Sequence, residues 1–212
     1  MVHIYYHIYA VDGVDTIIDE QLNLIKKHFE FPYILNVGIS IANDDVSISK
    51  ILNKFDKIRD VRAKGNEFTT LDLIENDKDK FGESDYILYI HTKGASKLKN
   101  PLYSNIESWR KLMQYFNIEK YKNVFTLFEK TNYNTYGVLF CNVKGNNIYG
   151  GNFWWAKASY LKTLNMDNIS KNRNNAEWSF IQNGKEWKPY SSYNLDHMNY
   201  YYTKFDRNKY AK

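Results

Sequence analysis

The sequence predicts an α/β fold, a central and mostly parallel sheet flanked by helices, on three observations. Residues 86–90, Tyr-Ile-Leu-Tyr-Ile, form an apolar run too short for a globular helix and suited to a strand buried on both faces. Residues 3–41 alternate an Ile, Tyr and Val-rich run, a helical pattern and a second apolar run, which is a βαβ unit and calls for a parallel sheet. With 212 residues, 43% of them apolar, the chain can bury one sizeable core and is too short for two ordinary domains.

The first strand covers residues 3–11 and stops at Asp12-Gly13, a turn signal. Residues 14–29 set Val14, Ile17, Ile18, Leu22, Leu24, Ile25 and Phe29 at mostly helical spacing, with acids early and lysines late to suit the helix dipole. Pro32 breaks that helix, and residues 33–41 form the second strand. Residues 47–55 read as a short helix and 58–63 as a short edge strand. Lys64 to Leu71 reads as a turn feeding a helix that ends near residues 76–80, its amino terminus offering free N–H groups to an anion.

Past the central strand, residues 101–116 carry Leu102, Ile106, Trp109, Leu112, Met113 and Phe116 as a helical stripe, mostly core. Residues 121–128 read as another helix and 136–142 as a strand holding Cys141. Gly150-Gly151-Asn152 suggests backbone that approaches something closely. It precedes Phe153-Trp154-Trp155-Ala156, read as helical together with Tyr160, Leu161 and Leu164, so that at least one tryptophan faces the core. Residues 174–182 form a short helix with Glu177 and Trp178, and the polar, Tyr-rich tail holds His197.

The central strand stops at His91-Thr92-Lys93-Gly94, the edge where open α/β sheets place ligands. An ammonium, small donors and a flexible backbone suit a phosphate-bearing ligand. An ordinary glycine turn is the competing reading. The 19 Tyr and 5 Trp favour wet clefts and flat ligands, although compositional drift also accounts for them. A net charge of +5 spread among acids favours a small anion over a nucleic acid.

Cys141 is the only cysteine, so no intrachain disulfide forms. The amino terminus has no signal-peptide pattern and no run reaches the roughly 18 apolar residues of a membrane helix, so a soluble, cytoplasmic protein is expected. Dinucleotide and Walker glycine motifs, a Gly-x-Ser-x-Gly elbow and a Cys/His metal cluster are absent from the sequence.

The stretch from Asp85 to Ser96, with its Ile-His-Thr-Lys-Gly core, resembles the signature of a group of GT-A type glycosyltransferases in which His-Thr-Lys replaces Asp-x-Asp. The resemblance extends to Gly65 to Leu71, Trp109-Arg110, Gly151 to Trp155 with Tyr160, and Ala176-Glu177-Trp178, spanning roughly residues 60–180. In length and style the chain is similar to the amino-terminal domains of chlorovirus glycosyltransferases that build capsid glycans.

The resemblance implies a single GT-A-like domain over residues 1–212, with a nucleotide-binding half of about 1–97 and an acceptor and catalytic half of about 98–212. It implies a nucleotide-diphosphate donor, most often a UDP-sugar, and a glycan or glycoprotein acceptor. A monomer in the host cytoplasm, without nucleic acid, is the corresponding expectation. Tyr6, Ile8, Tyr9, Ala10 and Arg62 become nucleotide candidates, Glu67 and Thr70 approach ribose or diphosphate, and His91, Thr92 and Lys93 face the diphosphate. Lys93 would offset charge on the departing nucleotide, while Asn152 and the Trp154-Trp155 pair would line the sugar side. Glu177 would be the general base, with a solvated helix glutamate as its bland alternative.

Without Asp-x-Asp the metal is open: His91 and His197 are weak candidates for Mn²⁺. Asp77-Lys78-Asp79 spells the motif but falls at the wrong end of a helix. A binding module without turnover, its aromatics stacking sugars, is the rival from another class.

Overall fold

The computed structural model describes residues 1–43, 48–167, 169–196 and 199–211. Strand β1 (Val2–Ala10), helix α1 (Asp15–His28) and strand β2 (Tyr33–Ile41) form the βαβ unit, the strands pairing in parallel from Val2 with Tyr33 to Ala10 with Ile41. Asp15 lies in the first turn of α1 and Lys26, Lys27 and His28 in its last, matching the helix dipole, while Ile17, Ile18 and Ile25 are buried. After α2 (Ser49–Leu52), the short β3 (Asp60–Ala63) pairs with β2 at the sheet edge. Helix α3 (Phe68–Asp77) returns the chain to β4 (Tyr86–His91), which joins β1 on the side away from β2. Strand order therefore reverses between β1 and β4, and such a switch point opens a crevice at the carboxyl ends of the two strands.

Helices α4 (Tyr103–Gln114) and α5 (Tyr121–Lys130) precede β5 (Thr135–Gly137), β6 (Phe140–Val143), β7 (Asn146–Tyr149) and β8 (Trp154–Lys157). Then come α6 (Ala158–Leu161), α7 (Arg173–Trp178), β9 (Pro189–Ser191) and α8 (Arg207–Tyr210). The seven-stranded sheet runs β3-β2-β1-β4-β8-β5-β9, with β8 antiparallel to both neighbours, and β6 and β7 pair apart from it. Strands from both halves of the sequence thus share one sheet. Among the described residues no helix is long and apolar enough to cross a membrane.

Two sequence expectations change. The strand expected over residues 136–142 is two strands, because Leu139 adopts φ 55° and turns the chain out of the main sheet. Residues 154–157 are a strand rather than a helix, so Trp154 and Trp155 point to opposite faces and both are fully buried. Trp155 packs with Phe125 at 5.5 Å in the core that holds Ile4, Tyr6, Ile8, Leu88 and Ile90. Trp154 stacks on Tyr89 at 5.2 Å in the core of the other face, with Tyr5 and Ile87.

Candidate functional site

A cleft of about 780 Å³ opens at the carboxyl edge of β1 and β4, at the switch point. Its lining includes His7 and His91, which are register partners on the two parallel strands. The Nε2 of His91 lies 2.8 Å from the Gly151 carbonyl, which can only accept, so Nε2 carries the proton and donates it. The Nδ1 of His7 lies 3.0 Å from Thr70 Oγ1. Burial pushes both imidazoles down to about 3, opposed by Glu67 at His7 and reinforced by Lys93 at His91, so both are neutral near pH 7.

Beyond His91 the chain turns at Gly94, whose φ of 91° suits glycine. The turn is braced from α4: Arg110 Nη1 donates to the Lys93 carbonyl at 3.1 Å, and the same buried guanidinium pairs with Glu20 of α1 at 3.2 Å. Lys93 Nζ stands 4.1 Å over the Trp109 ring, a contact that orients the ammonium without neutralising it. Trp109 and Arg110, adjacent in sequence, therefore hold the two ends of Lys93.

Four cations, Lys64, Lys93, Lys97 and Arg173, line the cleft, and none forms a side-chain ion pair among the described residues. They face two carboxylates, Glu67 and Glu177. Glu67, just before α3, accepts from Tyr89 Oη at 2.9 Å and from Asn152 Nδ2 at 2.6 Å. The buried Asn152, at φ 59°, also accepts from Trp154 Nε1 at 3.0 Å. Glu177 on α7 accepts the Gly151 N–H at 2.8 Å, so the two acids are held by adjacent residues of one turn. Fixed carboxylates beside unpaired cations can accept a hydroxyl proton and bind a polyanion in the same space.

Of the residues singled out in the sequence, Tyr9, Glu67, His91, Thr92, Lys93 and Glu177 line the cleft. Thr92 is itself buried and its Oγ1 accepts the Tyr9 N–H at 2.9 Å, a latch between the strand ends. Tyr6, Ile8 and Ala10 do not line the cleft: they share the face of β1 that packs into the core with Trp155, and Tyr6 Oη donates to Gln21 at 2.6 Å. Arg62, on the edge strand, is bound to Asp60 at 2.7 Å and Asp72 at 2.8 Å and lies off the cleft. Thr70 is buried beneath His7, Asn152 reaches the cleft only through Glu67, and Trp154 belongs to the core because strand pairing buries it.

Among the described residues no three His, Cys, Asp or Glu side chains converge as a cation site, and the Nε2 proton of His91 is engaged by Gly151. His197 lies outside the described residues. Asp77 closes α3, at the end away from Glu67, where it takes bonds from Arg59 at 2.6 Å, Tyr5 at 2.8 Å and Lys80 at 2.9 Å.

His7, Lys64, Arg173 and Asn174 line the cleft without having been singled out. The signals were available for two of them: His7 shares the β1 parity of Tyr9, and Arg173 precedes Glu177 by one helical turn. Lys64 and Asn174 carried none.

No curated protein matches the chain. A solved structure, the crystal structure of 4-diphosphocytidyl-2C-methyl-D-erythritol synthase, is similar with a TM-score of 0.39 and 14% identity over 83% of this chain and 84% of that one, a likeness too loose to assign a role. No glycosyltransferase is named in these matches. Residues 3–207 match the family described as a domain of unknown function (DUF8361), and the chain belongs to that family.

Proposed function

We propose that the chain is a glycosyltransferase that moves a sugar from a nucleotide-diphosphate donor, with UDP as carrier, to a glycan or glycoprotein acceptor. The observation that carries the reading is the convergence, in one cleft at the β1–β4 switch point, of two positioned carboxylates and four cations that form no ion pair among the described residues. The cations suit a diphosphate, and the surplus of positive charge remains to meet the charge that grows as the sugar–phosphate bond breaks.

In the proposed step, Glu177 takes the proton of an acceptor hydroxyl as that oxygen attacks the anomeric carbon. The bond from that carbon to the β-phosphate oxygen breaks, and its electron pair leaves with the diphosphate, where Lys93 and Arg173 offset the charge. Glu67 serves as a second polar wall, its orientation set by Tyr89 and Asn152. A divalent cation is not assigned a role, since the described donors do not fit one. A viral capsid acceptor rests on the sequence resemblance alone.

Thermal melting with UDP tests the reading. At a hundredfold excess over Kd a bound nucleotide stabilises by about 3 kcal/mol. A melting curve unmoved by UDP, with and without Mn²⁺, would overturn it. Release of UDP from a UDP-sugar without acceptor then separates an enzyme, which leaks donor to water, from a binding module, which does not.

A further inference from the structure

Tyr201 and Tyr202 line the cleft while remaining 43% and 69% exposed. The other large apolar side chains left exposed among the described residues, Met1, Ile34 and Val61, are outside the cleft. Two adjacent rings left in water at a concave mouth mark a place for a ligand with an apolar face. The short turn that presents them, Tyr200–Tyr202, is firmly seated. Buried Tyr200 packs on Trp109 at 5.2 Å, the Tyr201 carbonyl accepts from Asn105 Nδ2 at 3.3 Å, and the Tyr201 ring meets Trp109 edge-on at 5.5 Å and 85°. The same indole supports Lys93, so the aromatic rim and the cation share one foundation.

We propose that Tyr201 and Tyr202 form the acceptor platform of the cleft, stacking on the apolar face of a pyranose ring in a glycan whose further units extend into solvent. This rests on the transferase reading and adds to it the residues that meet the second substrate. A pyranose carries C–H bonds on one face and hydroxyls at its edge. The tyrosine rings take the face, and Ser96, Asn100 and Asn174 of the same lining offer polar groups to the edge. The exposure of Tyr202 favours a sugar chain over a nucleobase: a chain is held from one side with its outer units in water, whereas a rim ring open to solvent leaves a base half hydrated.

The test uses the full chain and the variants Tyr202→Ala, Tyr202→Phe and Tyr201→Ala, each applied to a glycan array in the presence of UDP and titrated with UDP alone by thermal melting. Because Tyr202 is largely in solvent, its truncation leaves the core packing in place, and the ligand-free melting temperature checks this. Wild type and Tyr202→Phe are expected to retain the same glycans, while both alanine variants lose about tenfold or more in glycan binding with an unchanged UDP response. The proposal is overturned if wild type retains no glycan, if both alanine variants bind as wild type does, or if the loss appears in the UDP titration, which would give the rings to the base. A wild type that ignores UDP, with glycan binding still dependent on Tyr202, would instead sink the donor reading and leave the platform standing.

Discussion

Glu67 and Asn152 are 85 residues apart in the chain and 2.6 Å apart in the fold, carboxylate oxygen against amide nitrogen. The contact ties the entry to α3 to the turn that precedes β8. The turn also receives Glu177 and His91 at Gly151, so one short segment sets the position of two acids and one imidazole.

Asn152→Ala is therefore expected to cost about 1–3 kcal/mol, because it strands the Trp154 indole N–H and removes a donor from Glu67. For a chain of this size that lowers the melting temperature by roughly 2–4 °C per kcal/mol. An unchanged melting temperature would show that the turn is held by other contacts.

Glu177→Gln retains an oxygen for the Gly151 N–H and removes the basicity. Sugar transfer should fall by roughly 10² or more, with UDP binding little altered. Steady-state rates and UDP melting shifts measured on the same preparation check both halves, and equal rates would move the base to another residue.

Replacing Asp77 and Asp79 together with Asn should leave the UDP response intact and lower stability. Burial would raise the Asp77 carboxyl, but bonds from Arg59, Lys80 and Tyr5 outweigh it and hold the group well below the usual carboxylate range. Its contribution is present above the ordinary value of 3.8 and fades as pH falls below it. Lys93→Ala should do the reverse, weakening the UDP response several-fold while hardly moving the ligand-free melting temperature. Loss of UDP binding in the double Asn variant alone would place the donor at the other edge of the sheet.

Acid should destabilise the protein through His7 and His91. Above about pH 6.5 both are neutral folded or unfolded and contribute nothing. Below it the unfolded chain takes up protons that the buried imidazoles, held to about 3, refuse, so stability declines as pH falls through that window. Each histidine accounts for about 2 kcal/mol at about pH 5. Melting between about pH 7.5 and 5 should show the decline, and His7→Asn should remove part of it. A flat profile would mean that the cleft hydrates these rings.

Much of the main frame was legible in the sequence because its signals are local. The βαβ unit, the buried strand at residues 86–91 and the turn into α3 follow from apolar period, breakers and charge order over ten or so residues. The same local run places His91 at the end of a central strand, with Lys93 just beyond it. Where side chains of equal character point depends on contacts between segments distant in the chain. Tyr6 and Tyr9 are both β1 tyrosines, yet they lie on opposite faces, and Tyr9, near the carboxyl end of the strand, lines the cleft while Tyr6 lies in the core. Trp154 and Trp155 were expected in a helix with Tyr160, but pairing with β4 and β5 makes them a strand and buries them on both faces. Glu177 and Tyr201 reach the cleft, and Asn152 braces Glu67 beneath it, from segments far from residue 91 in sequence, through contacts whose partners are set by the packing of the whole sheet and carry no local period to read.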